Sequence, residues 1–165
     1  MASPTSCQSE SQSTAAADAA VADPVAPEGA AAANSNRAPI YLQDVATGAR
    51  ELISSGKGIN GAPAFSPDGR FLAMTLSRTG NPEVFVRELA TGAMRQLTNH
   101  WAIDTEPAWS PDGDKVAFSA LSGATRDLFV YDMSSDELKQ VTDDRFDDMD
   151  VSWFPDGERL IFSSD

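Results

Sequence analysis

Residues 62–74 read APAFSPDGRFLAM, and this pattern returns twice further along the chain. The later copies are EPAWSPDGDKVAF at 106–118 and DVSWFPDGERLIF at 150–162, so successive copies are 44 residues apart. The segments between them keep the same spacing, as IYLQDVATGARELI at 40–53, VFVRELATGAMRQLT at 84–98 and LFVYDMSSDELKQVT at 128–142. A repeat of about 40 to 45 residues is typical of β-propeller blades.

The apolar residues of each repeat favour strands over helices. Phe71 and Ala73 are two residues apart, as are Val84 and Val86, whereas a helical repeat needs apolar positions three and four apart. We therefore predict an all-β fold, a β-propeller of four-stranded antiparallel blades. In the first complete blade the predicted strands, listed from the inside outwards, span 62–66, 70–77, 84–89 and 94–98.

The turns and one aromatic position support this arrangement. Pro67-Asp68-Gly69 and Ala90-Thr91-Gly92 suit tight turns because Gly accepts a positive φ. Ser135-Asp136 is a poorer match at the second turn in the last repeat. Phe65, Trp109 and Trp153 recur at one position, which predicts packing between adjacent blades rather than a platform for stacking a ligand.

The number of strands predicts an incomplete ring of about three blades. The chain begins with the last two strands of one blade, continues through two whole blades, and ends with the first two strands of another. A closed propeller needs about four to eight blades. The chain is therefore either a fragment or one half of a six-bladed homodimer in which two copies join their half-blades.

The propeller domain is predicted to span 39–165. Residues 1–38 contain 13 Ala, many Ser and almost no large apolar side chain, so they are predicted to form a disordered Ala/Ser-rich tail or linker. Cys7, the only cysteine, lies in this tail, where we expect an incidental residue rather than a lipidation site. No apolar run reaches membrane-spanning length, and the start lacks the charged and apolar regions of a signal peptide.

The net charge of −13 is concentrated near the end of the chain. Residues 39–126 hold nine acids against eight bases, whereas 127–165 hold twelve acids against three bases. Binding to nucleic acid is not expected because it requires clustered Lys and Arg. Five aspartates near the end of the chain are candidate ligands for a hard cation. Their spacing does not match a calcium loop, so a solvated acidic face is expected instead. These residues are Asp143, Asp144, Asp147, Asp148 and Asp150.

Catalytic patterns are missing from the sequence. His100 is the only histidine, the predicted domain contains no cysteine, and no Gly-x-Ser-x-Gly motif occurs. Residues 54–58, SSGKG, fail as a phosphate loop because Gly58 follows Lys57 where Ser or Thr is needed. We therefore expect no enzymatic activity, no cofactor and no metal.

Residues 57–113 resemble the propeller of the TolB family of the Tol-Pal cell-envelope system. The resemblance is carried by KGINGAPAFSPDGRFLAMTLSRTGNPEVFVRELATGAMRQLTNHWAIDTEPAWSPDG, and beyond about residue 120 it is only general. It implies a six-bladed propeller in the periplasm that binds the lipoprotein Pal and contributes to outer-membrane integrity and protein import. The family's small α/β domain and signal peptide have no counterpart in this sequence.

The resemblance also implies where the partner would bind. In the family, the loops leading into the innermost strands form the binding surface at one mouth of the channel, and here these loops are 59–63, 103–107 and 147–151. The matching residues are Asn60, Ala62, Asp104, Thr105 and Glu106. Loops at equivalent positions converge on one concave mouth, which agrees with this assignment. Alternatively, the polar members only satisfy backbone groups of the turns.

Two other functions remain open at this point. One is a propeller that gates a prolyl-oligopeptidase-type serine peptidase, a class that also uses repeats with the Ser-Pro-Asp-Gly turn. The other is a surface or secreted propeller of unassigned ligand, tethered through the tail. The NGAP and DTEP loops favour the Pal-binding interpretation, whereas the acidic third repeat departs from the family pattern.

Overall fold

A computed structural model describes residues 38–99 and 101–165. The predicted tail lies outside the described residues except for Ala38, and Cys7 and His100 lie outside them as well. The described residues form strands and turns without a helix, so they include no helix that could cross a membrane.

Twelve strands follow one another in the described residues. They are β1 (Ile40–Gln43), β2 (Arg50–Ser54), β3 (Asn60–Phe65), β4 (Phe71–Leu76), β5 (Glu83–Glu88), β6 (Met94–Gln96), β7 (Asp104–Trp109), β8 (Lys115–Ser122), β9 (Thr125–Asp132), β10 (Glu137–Gln140), β11 (Asp148–Trp153) and β12 (Leu160–Ser164). Strands β3 to β6 form one four-stranded antiparallel sheet, blade 1, and β7 to β10 form another, blade 2. The pairs β1–β2 and β11–β12 are two-stranded half-blades.

This topology confirms the predicted fold class. Each complete blade contains four antiparallel strands in chain order, and the described part of the chain does not close into a ring. The two half-blades are complementary, because β1–β2 are equivalent to the outer strands of a blade and β11–β12 to the inner strands.

The Ser-Pro-Asp-Gly segment closes the first hairpin of each complete blade. In blade 1 the Ser66 hydroxyl donates to Asp68 Oδ1 at 2.6 Å and accepts the Phe71 N–H at 2.9 Å. Gly69 has a φ of +69° and donates its N–H to the carbonyl oxygen of Ser66. The turn therefore satisfies its own polar groups, which explains why this four-residue pattern recurs.

The second turn shows how the last repeat does without glycine. Gly48 and Gly92 both have a φ of +75°, and Asp136 occupies the equivalent place with a φ of +60°. An aspartate tolerates this left-handed conformation better than most side chains. The poorer sequence match therefore does not change the turn.

The hydrophobic core lies between sheets. One cluster joins Ala73, Val84 and Val86 of blade 1 to Val116 and Phe118 of blade 2. A second packs the β1–β2 half-blade on the opposite face of blade 1, and a third packs β11 on blade 2. Burial of apolar surface between successive blades is therefore what holds the arc of sheets together.

The repeated aromatic position confirms the predicted packing between blades at two of its three copies. Trp109 donates its indole N–H to the carbonyl oxygen of Ala64 at 3.1 Å, and Trp153 donates to Ala108 at 3.0 Å. The prediction is wrong for Phe65, which is 53% exposed. No inner strand precedes β3 in the described residues, so the Phe65 ring lacks the neighbour that β3 provides for Trp109.

Candidate functional site

The first strand of each repeat contains a β-bulge close to its beginning. Three register shifts occupy equivalent places, between Gly61 and Ala64, between Thr105 and Ala108, and between Met149 and Ser152. A bulge bends its strand and redirects the side chains beside it, and bulges are common next to functional sites.

Each bulge places a residue other than glycine in the left-handed region of φ. The residues are Ala62, Glu106 and Asp150, with φ values of +47°, +60° and +57°. They are 44 residues apart, so the conformation belongs to the repeat. Such a residue costs on the order of 1–3 kcal/mol and persists only where the surrounding structure imposes it. Strain repeated at one position often marks a functional surface.

The bulges also correct the predicted strand boundaries. Residues 59–63 and 103–107 were expected to be loops leading into strands that begin at 62 and 106. Strand β3 instead begins at Asn60 and β7 at Asp104. The extra residue interrupts the alternation of side chains, so the start of each strand resembles a loop in the sequence.

The five predicted site residues lie together on two neighbouring strands, but their exposure differs. Asn60 and Ala62 belong to β3, and the other three belong to β7, which contacts β3. Ala62 is exposed, Thr105 and Glu106 are half-buried, and Asn60 and Asp104 are buried. Ala62, Thr105 and Glu106 are therefore the members that a partner could touch directly.

Asn60 holds the loop that enters β3. Its side-chain amide donates to the carbonyl oxygens of Gly56 at 2.9 Å and Gly58 at 3.2 Å. Its Oδ1 accepts the Ser54 hydroxyl at 2.9 Å. The alternative interpretation, that polar residues here satisfy turn groups, therefore describes the contacts of Asn60.

Asp104 and Asp148 take the same place in the next two repeats and are fully buried. The Asp104 backbone N–H donates to the carbonyl oxygen of Pro82 at 3.0 Å, which ties β7 to the turn between β4 and β5. In the part of the chain that the structure describes, neither carboxylate oxygen of Asp148 has a hydrogen-bond partner. The last repeat thus buries a carboxylate where the first buries a neutral amide.

A hydrogen bond connects two successive bulges. The Glu106 carboxylate accepts the backbone N–H of Asp150 through Oε2 at 3.1 Å. Glu106 therefore links the first strand of blade 2 to the first strand of the following half-blade. Ala62 has no side chain that could form the corresponding link to Glu106.

Two exposed isoleucines beside the bulges were not among the predicted contacts. Ile59 immediately precedes Asn60 and is 52% exposed, and Ile103 immediately precedes Asp104 and is 39% exposed. Exposed apolar side chains next to strained backbone suit a protein interface, where apolar anchors supply much of the binding energy. The 44-residue repeat is the sequence signal that indicates these two contacts, because Ile59 and Ile103 occupy equivalent places in successive repeats.

The acidic segment of the last repeat does not form a cation cage. Among residues 38–99 and 101–165, no group of three or more His, Cys, Asp or Glu side chains is arranged to hold a metal ion. Asp147 accepts the Arg126 N–H at 2.7 Å, and Asp144 Oδ1 accepts the Phe146 N–H at 2.8 Å. These carboxylates stabilise the loop between β10 and β11.

A model of the TolB beta propeller domain matches residues 31–125, more than half of the chain. The chain belongs to this family. The Tol-Pal system protein TolB of Alcanivorax borkumensis is 59% identical over 44 residues, which cover 27% of this chain and 10% of that protein. TolB of Rickettsia canadensis is 43% identical over 49 residues, 30% of this chain and 11% of that protein. The chain thus matches about a tenth of the length of these TolB proteins.

Solved propeller structures also resemble the chain. The crystal structure of TolB from Acinetobacter baumannii superposes with a TM-score of 0.71 and 38% identity, over 78% of this chain and 32% of that one. Dipeptidyl peptidase 4 of Porphyromonas gingivalis superposes with a TM-score of 0.59 at 17% identity, over 78% of this chain and 25% of that one. At this low identity the likeness to a peptidase shows the propeller fold alone.

Proposed function

We propose that this chain is a protein-binding propeller of the TolB type, without catalytic activity of its own. In this proposal it acts in the periplasm as part of the Tol-Pal cell-envelope system and binds a Pal-like lipoprotein. Membership of the TolB propeller family supports the class of function. The names of the relatives, Tol-Pal system proteins, support the cellular system.

The repeated strained bulge is the observation that carries the proposed binding site. We assign the partner contacts to a surface called the mouth, made of Ile59, Ala62, Ile103, Thr105 and Glu106. Asn60 and Asp104 support it from beneath, because both are buried beside the bulges. The mouth combines apolar anchors with a carboxylate, a composition that suits a protein partner better than a small polar ligand.

Titration with a purified Pal-like lipoprotein, without its lipid, tests this proposal. Glu106→Lys should weaken binding at least about tenfold, because it reverses a charge within the mouth and removes the acceptor for the Asp150 N–H. Thr105→Ile should weaken binding by adding bulk to a half-buried contact. Glu137→Lys makes the same charge change on exposed strand β10 and should bind like the parent.

The site assignment is wrong if Glu106→Lys and Thr105→Ile both bind the lipoprotein like the parent while their circular dichroism spectra stay unchanged. If the parent itself does not bind, the chain is a propeller of the TolB family with another ligand. In that case the mouth variants provide the means to screen for that ligand.

We also propose that two copies of this chain pair through their half-blades to give six blades. Large apolar residues of β12 are exposed at positions that are buried in complete blades. Ile161 is 68% exposed, whereas its equivalents Ala73 and Ala117 are fully buried. Phe162 is exposed, whereas its equivalent Phe118 is fully buried. Strand β1 of a second copy is equivalent to the strand that covers this edge in blades 1 and 2.

The register of blade 1 predicts the register of this contact. Ala73 pairs with Val86 in blade 1, and the equivalent pair is Ile161 of one copy with Leu42 of the other. In a Cys7→Ser background, Ile161→Cys with Leu42→Cys should form an intermolecular disulfide, whereas Ile161→Cys with Gln43→Cys should not. A strictly monomeric mass for the folded parent by light scattering would refute the pairing.

A further inference from the structure

An open cavity of about 470 Å³ lies between blades 1 and 2, at the end of the molecule that carries the Ser-Pro-Asp-Gly turns. The mouth is at the opposite end, because β3 runs from its bulge to that turn. The side chains of Phe71, Val86, Trp109 and Met133 are among those that line the cavity. The cavity thus continues the buried cluster between the two blades outwards to the surface.

The apolar walls of the cavity present flat, polarisable surfaces. The rings of Phe71 and Trp109 stack with their centroids 6.3 Å apart and their planes inclined by 29°. The Trp109 indole N–H is already bonded to Ala64, so the ring offers the cavity its π system rather than a donor. Met133 adds a flexible thioether, which packs favourably against aromatic rings.

The charged groups beside the cavity already have partners. Glu88 lies 3.6 Å from the Arg70 guanidinium. Arg95 donates to the Tyr131 hydroxyl at 2.9 Å and forms an ion pair with Asp136. A charged ligand would have to compete with these contacts, whereas an uncharged one would leave them intact.

We propose that this cavity binds an uncharged aromatic group, either a free molecule or an aromatic side chain of a partner protein. The volume falls within the usual range for ligand pockets, about 300–1,000 Å³. Contact with the rings of Phe71 and Trp109 would provide the buried area, and the paired charges would disfavour ionic ligands. This site is separate from the mouth and does not depend on Pal binding.

The next repeat provides an internal comparison. Lys115 occupies the place of Phe71, and Lys139 occupies the place of Arg95. Trp153 is equivalent to Trp109 and makes the same indole hydrogen bond, to Ala108. The second interface therefore keeps the tryptophan but replaces the aromatic wall by a cation, which makes Trp153 a control within the same molecule.

Binding is measured by nuclear magnetic resonance on the whole chain, with indole as the probe. The Trp109 indole N–H signal should shift in a saturable manner while the Trp153 signal stays in place. Indole-3-acetate and tryptamine, which add a negative and a positive charge to the same ring, should bind at least about tenfold more weakly. A capped Gly-Trp-Gly peptide distinguishes a free aromatic molecule from an aromatic side chain of a partner protein. It binds as well as indole only if the cavity accepts a tryptophan that is part of a peptide chain.

Two variants test the location. Ala93→Trp should fill the cavity and abolish the shift, whereas Ala49→Trp, at the equivalent place in the exposed β1–β2 turn, should preserve it. Phe71→Lys introduces the residue of the next repeat and should also abolish binding in a chain that still folds. The proposal is wrong if indole gives no saturable shift, if Trp109 and Trp153 respond equally, or if the folded Phe71→Lys chain binds like the parent.

Discussion

Trp109 in blade 2 donates its indole N–H to the backbone carbonyl oxygen of Ala64 in blade 1, at 3.1 Å. Trp153 makes the same bond to Ala108 one repeat later, at 3.0 Å. Apolar packing between sheets has little directional preference, whereas this bond fixes the height of one blade relative to the next. The indole hydrogen bond therefore contributes to the relative position of successive blades.

Trp109→Phe should lower the free energy of unfolding by about 1 kcal/mol or somewhat more, because the Ala64 carbonyl loses its donor and the smaller ring buries less surface. Urea unfolding followed by circular dichroism measures the change. Trp101→Phe is the control, since Trp101 is 74% exposed. Equal losses in both variants would contradict a structural role for the indole bond.

Ala62→Gly should raise the free energy of unfolding by up to about 1 kcal/mol, because glycine adopts the φ of +47° without the steric cost paid by alanine. Ala49→Gly, an exposed turn position without a positive φ, should be neutral or slightly destabilising. Urea unfolding of the two variants side by side tests this difference. If Ala62→Gly is the less stable of the two, the left-handed conformation is not a source of strain.

Asp127→Asn should stabilise the chain at neutral pH. Burial raises the pKa of Asp127, and the charges of Asp143 and Asp148 add to the effect. The folded chain therefore binds this proton more tightly than the unfolded chain, and the free energy of unfolding falls as pH rises from about 3.8 to the raised pKa. The free energies of unfolding of parent and variant, measured from acidic to neutral pH, should agree below about pH 3.8 and diverge above it.

Asp132→Asn should have the opposite effect. The Ser134 hydroxyl and the backbone N–H groups of Ser135 and Ser134 lower the pKa of Asp132 to about 2. Its contribution to stability is therefore present above the unfolded value of about 3.8 and disappears as pH falls towards 2. The variant should be less stable than the parent at neutral pH and equal to it in strong acid. A difference that persists at low pH would exclude ionisation as its cause.

The repeat made the architecture accessible from the sequence, because the 44-residue spacing, the turn residues and the period-two alternation all agree. The bulges escaped prediction. A β-bulge breaks the alternation of side chains by which strands are recognised in a sequence. The sequence pattern therefore predicts loops at Asn60 and Asp104. Their burial depends on contacts with other turns, such as the bond from Asp104 to Pro82, and no local pattern reports those contacts.

The cavity between blades 1 and 2 could not be predicted for a similar reason. Phe71 and Trp109 are 38 residues apart in the sequence, and each matches an ordinary strand position of its repeat. Only the stacking of one sheet on the next brings their rings together. A repeat predicts what its copies share, whereas this cavity arises from how they differ.

The three bulges have one backbone conformation and three different side chains. From Ala62 to Glu106 to Asp150, the side chain at the bulge changes from a methyl group to a long carboxylate and then to a short one. Negative charge is therefore present at the second and third bulges and absent from the first. A cationic surface lying over the bulges would be attracted to blade 2 and the following half-blade rather than to blade 1, so bulges of one backbone conformation still distinguish one end of the arc from the other.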